Sequence, residues 1–271
     1  MKINRLKNLL LVVVPIFAFV GSFYGQETET KPGIWLDGGL GHCFVDTYNN
    51  GAAPMTLFGG GMGLQAGVVV DWGRYHLQNE SRALFGMLLI PLEGYVGCLQ
   101  NGIEFLYRVR DKQCDRLHLW VGGSLQGDAF IMVLPPLNSA STSNATFGNF
   151  CVKGMVQYDF AFVPEKSYNL LTAYGKLTLP IVGVVNLPGF SYMDNYLSDI
   201  NLVYTLLSTY ETRGILFPGV ATNIGLRFNL PNGNRIGVSY RWDYMTTRNR
   251  GQYRFDNAFH SLVMDFMFKL N

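Results

Sequence analysis

Charge is scarce in this chain, and so is any apolar run long enough to cross a bilayer as a helix. Charged residues make up 15% of the sequence, well under the roughly 25% usual in soluble domains, which disfavours an ordinary hydrated surface. The apolar run 9–20 falls short of the roughly 20 residues that a spanning helix needs, and no helical repeat or heptad follows it. Four histidines have no ligand spacing, and Cys43, Cys98, Cys114 and Cys151 contain no C-x-x-C pair, so a metal site is not expected. The spacing leaves open whether these cysteines form a disulfide or stay as half-buried thiols. Gly61-Met62-Gly63-Leu64-Gln65-Ala66 imitates a dinucleotide fingerprint but lacks the strand-turn-helix context that binding requires, so no cofactor is expected.

What is present is a leader and a strong two-residue period. Lys2, Arg5 and Lys7 precede the apolar run 9–20, and the chain turns polar by Gln26, which is the pattern of a secretory signal peptide over 1–25 ahead of one domain over 26–271. The leader takes three of the 21 basic residues, leaving 18 against 19 acidic ones, so the mature chain has no electrostatic footprint for nucleic acid. In the stretch 220–270, Ile224, Leu226 and Phe228, then Val238, Tyr240 and Trp242, then Leu262, Met264 and Phe266 alternate with polar or small residues. One apolar and one polar face suit a sheet with lipid outside and a polar interior.

The same alternation predicts strands over 33–45, 57–72, 83–96 (with a bulge at Pro91), 103–109, 117–134, 150–162 and 169–185. Turns are expected near 78–81, 110–116 and 164–167, and longer loops after the first strand and over 135–146 and 186–213. The count is ten, or twelve if the fifth strand splits and 201–210 pairs. The fold class is therefore all-β, a transmembrane antiparallel up-and-down β-barrel of about ten strands (eight to twelve), with the last strand paired to the first.

In that register Glu104, Arg108, Lys153, Asp159, Arg227, Arg241, Asp243 and Asp265 face the lumen, joined by Asp37, Asp71, Glu93, Arg110, Lys176, Arg235 and Lys269. The signs nearly balance. A ten-strand barrel is narrow, and unpaired charges in a poorly hydrated interior are costly, so a lumen filled by an ion-pair network is expected. No catalytic residue is assigned. His260 and Ser261 are adjacent in a strand and point to opposite faces, while His118 and Asp159 share a face but have no nucleophile beside them.

The chain resembles small outer-membrane β-barrel proteins of Gram-negative bacteria, of the Bacteroidota type. The resemblance rests on Gln26-Glu27 after the leader, on the segment from Gly237 to Tyr244, and on the closing segment from His260 to Asn271, which ends in Leu270-Asn271 where proteobacterial barrels commonly end in an aromatic residue. It implies residence in the outer membrane, contact with outer-membrane lipid, and insertion by barrel-assembly machinery. The role expected is non-enzymatic: an envelope component, or an accessory subunit associated with other outer-membrane proteins. The alternatives are a narrow small-solute channel and a lipid-modifying barrel enzyme.

Overall fold

The computed structural model describes residues 33–49, 53–109, 116–140, 142–160, 171–188, 210–247 and 254–270. The leader, Arg110, Cys114, most of the turn expected at 110–116 and all of that at 164–167 lie outside them. Eleven strands follow one another: β1 Gly33–Asn49, β2 Ala53–Trp72, β3 Tyr75–Ile90, β4 Gly94–Val109, β5 Leu117–Val133, β6 Thr142–Phe160, β7 Leu171–Pro188, β8 Tyr210–Leu216, β9 Gly219–Asn229, β10 Arg235–Thr246 and β11 Phe255–Lys269. All neighbours are antiparallel, β1 pairs with both β2 and β11, and β6 pairs with β7, so the sheet closes on itself. Two strands share one stave. Along β7, β9 pairs with the first part and β8 with the second, and the chain between them breaks at Phe217, whose φ is 51°, and at Pro218. The barrel therefore has ten staves.

The period read from the sequence is the period of the wall. Leu36, Leu40 and Phe44 on β1, Leu64, Val68 and Trp72 on β2, and Leu262, Met264, Phe266 and Phe268 on β11 point outward and are 38–64% exposed, while Asp37, Cys43, Ser261 and Asp265 between them are buried. An exposed apolar surface this continuous is untenable in water, and a closed barrel is one of only two structures that satisfy every backbone group in lipid. On β10, Trp242 and Tyr244 stack on the outer wall, and Tyr240 bonds His260 Nδ1 at 2.6 Å, as an interfacial aromatic girdle requires. The chain is an outer-membrane β-barrel.

Several boundaries differ from expectation. The turn placed at 78–81 is at Gly73-Arg74, and Gln78 and Glu80 lie inside β3. Their polarity reflects a polar lumen, which a turn mimics in composition. The segment 83–96 is not one bulged strand, because Pro91, with no N–H for the ladder, sits in the connection between β3 and β4; Glu93 there is exposed and not luminal, and so is Lys269 at the rim end of β11. β5 is a single strand. The loop 135–146 shrinks to a 3-10 turn, Pro135–Ala140, because β6 already begins at Thr142. Likewise β1 and β2 run on to Asn49 and Ala53, which shortens the first loop. The irregular stretch expected over 186–213 is regular at both ends, where β7 runs on to Pro188 and β8 begins at Tyr210; residues 189–209 lie outside the described ones.

The end that carries Gly33, Lys269 and the turn at Gly73 is the turn end; the opposite one is the loop end. At the loop end the interior is apolar. Cys43, Val45, Leu57, Leu84, Leu88, Val96, Cys98, Phe130, Met132, Phe147, Val185, Met245, Phe255 and Phe259 form one buried cluster drawn from nine of the ten staves. Phe130 packs edge-on to Phe255 at 4.8 Å between ring centroids. Crowding extends to the wall. Gly61 pairs with Gly86, and a Cβ on it would overlap the Phe85 carbonyl and the Gly86 Cα. Gly38, facing outward, has open space where a Cβ would stand.

These two glycines give a paired test. Gly61→Val forces side-chain atoms into a backbone that cannot withdraw and is expected to cost about 3 kcal/mol or more, beyond typical overpacking, whereas Gly38→Ala is expected to be near neutral. Urea unfolding in detergent, read by the gel shift between boiled and unboiled protein, measures both. A wild-type protein that is soluble without detergent and shows no heat-dependent shift would contradict the barrel.

Candidate functional site

Below the apolar layer the interior is ionic. Alternation along β3 turns His76, Gln78, Glu80 and Arg82 inward, and opposite them stand Glu104 on β4, Lys153 on β6, Lys176 on β7 and Arg241 and Asp243 on β10. Glu104, 5% exposed, is the centre of one cluster. Its Oε2 accepts from Lys153 Nζ at 2.6 Å and its Oε1 from Lys176 Nζ at 2.5 Å. His76 Nε2 lies 3.4 Å from the same carboxylate, and His76 Nδ1 lies 2.5 Å from Asp71, which in turn sits 3.6 Å from Arg235.

Asp243 is the centre of a second cluster. Arg241 Nε reaches it at 2.9 Å and Arg82 Nη1 at 3.0 Å, while Arg241 Nη1 donates to Glu80 at 2.7 Å and Arg82 also donates to Gln100 at 2.9 Å. Both clusters tie staves together across the lumen. β3 meets β10 through Arg82 and Arg241, and β4 meets β6 and β7 through Glu104. Paired and hydrogen-bonded in this way, the buried charges avoid the penalty that isolated ones would carry.

Of the eight luminal residues singled out from the sequence, Glu104, Lys153, Arg241 and Asp243 sit in these clusters. The other four lie nearer the turn end. Arg108 stacks over Trp120 at 5.5 Å and donates to the Gly73 carbonyl at 3.3 Å. Asp159 lies 3.2 Å from His118 and accepts from Thr172 at 2.7 Å. Arg227 stacks over Tyr174 at 4.9 Å, and Asp265 is 5% exposed with no ion pair among the described residues. Sequence reasoning missed His76, Glu80 and Arg82 as members of the clusters, because the turn assigned to 78–81 masked the alternation that points them inward.

Chemically these groups hold one another. The Thr172 hydroxyl donates to the Asp159 carboxylate and accepts from Asn229 at 3.2 Å, so it is not presented to His118 as a nucleophile to a base. Among the described residues no group of three His, Cys, Asp or Glu is placed to hold a metal. Cys43, Cys98 and Cys151 are free and buried; Cys151 donates to Gln126 at 3.3 Å.

Glu104→Ala leaves Lys153 and Lys176 buried together without their anion, and is expected to destabilise the barrel by about 3–5 kcal/mol. Asp256→Asn, at a half-buried carboxylate whose partner Arg254 is solvent-exposed and whose Thr246 hydrogen bond an amide oxygen can still accept, is expected to cost about 1 kcal/mol. Urea midpoints in the same detergent test the contrast.

No family model matches the chain, and no curated protein matches it. Among solved structures, the outer membrane protease OmpT of Escherichia coli is similar at 8% identity, covering 90% of this chain and 99% of that one with a TM-score of 0.49. The translocator domain of the autotransporter NalP of Neisseria meningitidis has 8% identity, 98% and 96% coverage and a TM-score of 0.38. Neisserial surface protein A has 10% identity, 89% and 100% coverage and a TM-score of 0.33.

Proposed function

We propose that this barrel is a non-enzymatic outer-membrane component with a sealed lumen, serving as an envelope component or as an accessory subunit of a larger outer-membrane complex. One observation carries the reading. The lumen is filled in two layers, apolar at the loop end around Phe130, Phe255 and Phe259, and ionic beneath it around Glu104 and Asp243. A solute path needs a continuous polar passage, and the contiguous apolar cluster interrupts it. The absence of catalysis is supported by the way His118, Asp159 and Thr172 satisfy one another. Outer-membrane lipid is the partner of the belt, the closing strand is what barrel-assembly machinery engages during insertion, and the Bacteroidota-type resemblance belongs to the same reading.

Planar-bilayer recording tests it. The wild-type barrel is expected to give no stepwise current, and the triple variant Phe130→Ala, Phe255→Ala, Phe259→Ala is expected to open current steps by removing the apolar layer. Steady steps from the wild type would sink the sealed-lumen reading, and turnover of phospholipid or lipid A by the purified protein would overturn the non-enzymatic one. Co-purification of a stable partner from native membranes separates the accessory subunit from the stand-alone component.

A further inference from the structure

We infer that the cavity at the turn end of the lumen is a binding site for a small zwitterion, one ammonium and one acid group a few bonds apart. The cavity is about 250 Å³, ample for a small molecule, since about 10–15 Å³ already admits one water. Asp37, Asp265 and Arg227 line it, from β1, β11 and β9.

The two carboxylates are more than nine-tenths buried, at 7% and 5% exposure. They lie on adjacent staves one diagonal step apart, since Asp37 pairs with Met267 and Gly39 with Asp265. Asp37 Oδ2 accepts from Gln65 at 2.9 Å, but its Oδ1 is buried with no partner. Asp265 has neither an ion pair nor a hydrogen bond to another side chain among the described residues. Across the ladder Gly237 leaves its carboxylate room, since a Cβ there would overlap it.

Arg227, the cation beside them among the described residues, does not neutralise them. Arg227 rests on the Tyr174 ring, an arrangement that leaves its N–H edge free; its Nε is buried without a partner, and among the described residues no carboxylate oxygen comes within 4.0 Å of it. The other charged groups of the cavity are engaged: Asp71 with His76 and Arg235, Glu80 with Arg241, Lys176 with Glu104, Asp159 with His118, and Arg108 on Trp120. What remains is two negative groups and one positive group, buried and held apart, each costly while unmatched.

That remainder specifies its ligand. An ammonium group brings three donors and a point charge to the two carboxylates, and an acid group on the same molecule takes the guanidinium edge of Arg227. A simple cation leaves Arg227 unmatched, and a simple anion leaves both aspartates. The apolar layer closes the loop end, so the ligand arrives from the turn end. Free amino acids and the phosphoethanolamine of lipid headgroups share this chemistry.

Titration calorimetry on the refolded mature barrel in detergent, with γ-aminobutyrate, phosphoethanolamine, ethylammonium and acetate as separate probes, tests the site. Saturable binding of one zwitterion at least about tenfold tighter than ethylammonium or acetate is expected, and which zwitterion wins identifies the source. Asp265→Asn and Arg227→Met should each weaken it at least about tenfold, and Asp256→Asn at the loop end should leave it unchanged. Asp37→Asn carries the same test if either variant lacks the heat-shifted band of a folded barrel. Absence of saturable binding, equal affinity for ethylammonium, or binding indifferent to these substitutions would overturn the site.

Discussion

In hydrocarbon a backbone N–H or C=O has no water to turn to, and each one left unpaired costs several kcal/mol. That constraint explains why the chain must close. β1 exchanges hydrogen bonds with β2 on one side and β11 on the other, with Leu40 opposite both Leu64 and Met264, so the first and last strands hide each other's edges. Among the described residues one stave is broken, at Phe217 and Pro218, and both of its parts pair with β7.

Closure creates a second problem, an interior too narrow to be left open. The chain solves it by height. Toward the loop end the inward positions carry Phe130, Phe255 and Phe259, which need no polar partners and fill volume. Midway they carry Glu104, Lys153, Arg82 and Asp243, whose charges survive burial because each meets an opposite charge from another stave. Toward the turn end the matching is incomplete around Asp37, Asp265 and Arg227, where the cavity lies.

Legibility followed the contrast between the two faces. Val238, Tyr240 and Trp242 against Gly237, Ser239 and Arg241 are plain in the sequence because outside and inside differ in polarity. Where both faces are apolar the period fades. The segment 83–96 looked like one strand for that reason, and its uniform apolarity was the available sign of an apolar layer in the lumen, since Leu84, Leu88 and Val96 point inward while Phe85, Met87 and Tyr95 face lipid. Where both faces are polar the error reverses. Gln78, Asn79, Glu80 and Ser81 read as a turn and belong to the first half of β3.

The sequence by itself determined the all-β class, the approximate number of staves, much of the outward set of residues and most of the inward charges, Glu80 and Arg82 excepted, because a strand's two-residue period is local and survives without knowledge of any partner. Only the tertiary structure decided which charges meet. Glu104 and Lys153 lie on neighbours of β5 and Arg82 and Asp243 on staves separated by three others, so their pairing depends on the curvature and stagger of a closed wall. The same holds for Asp37 and Asp265, at opposite ends of the chain and brought side by side by closure, where the balance of charge read along the sequence gives way to a local excess.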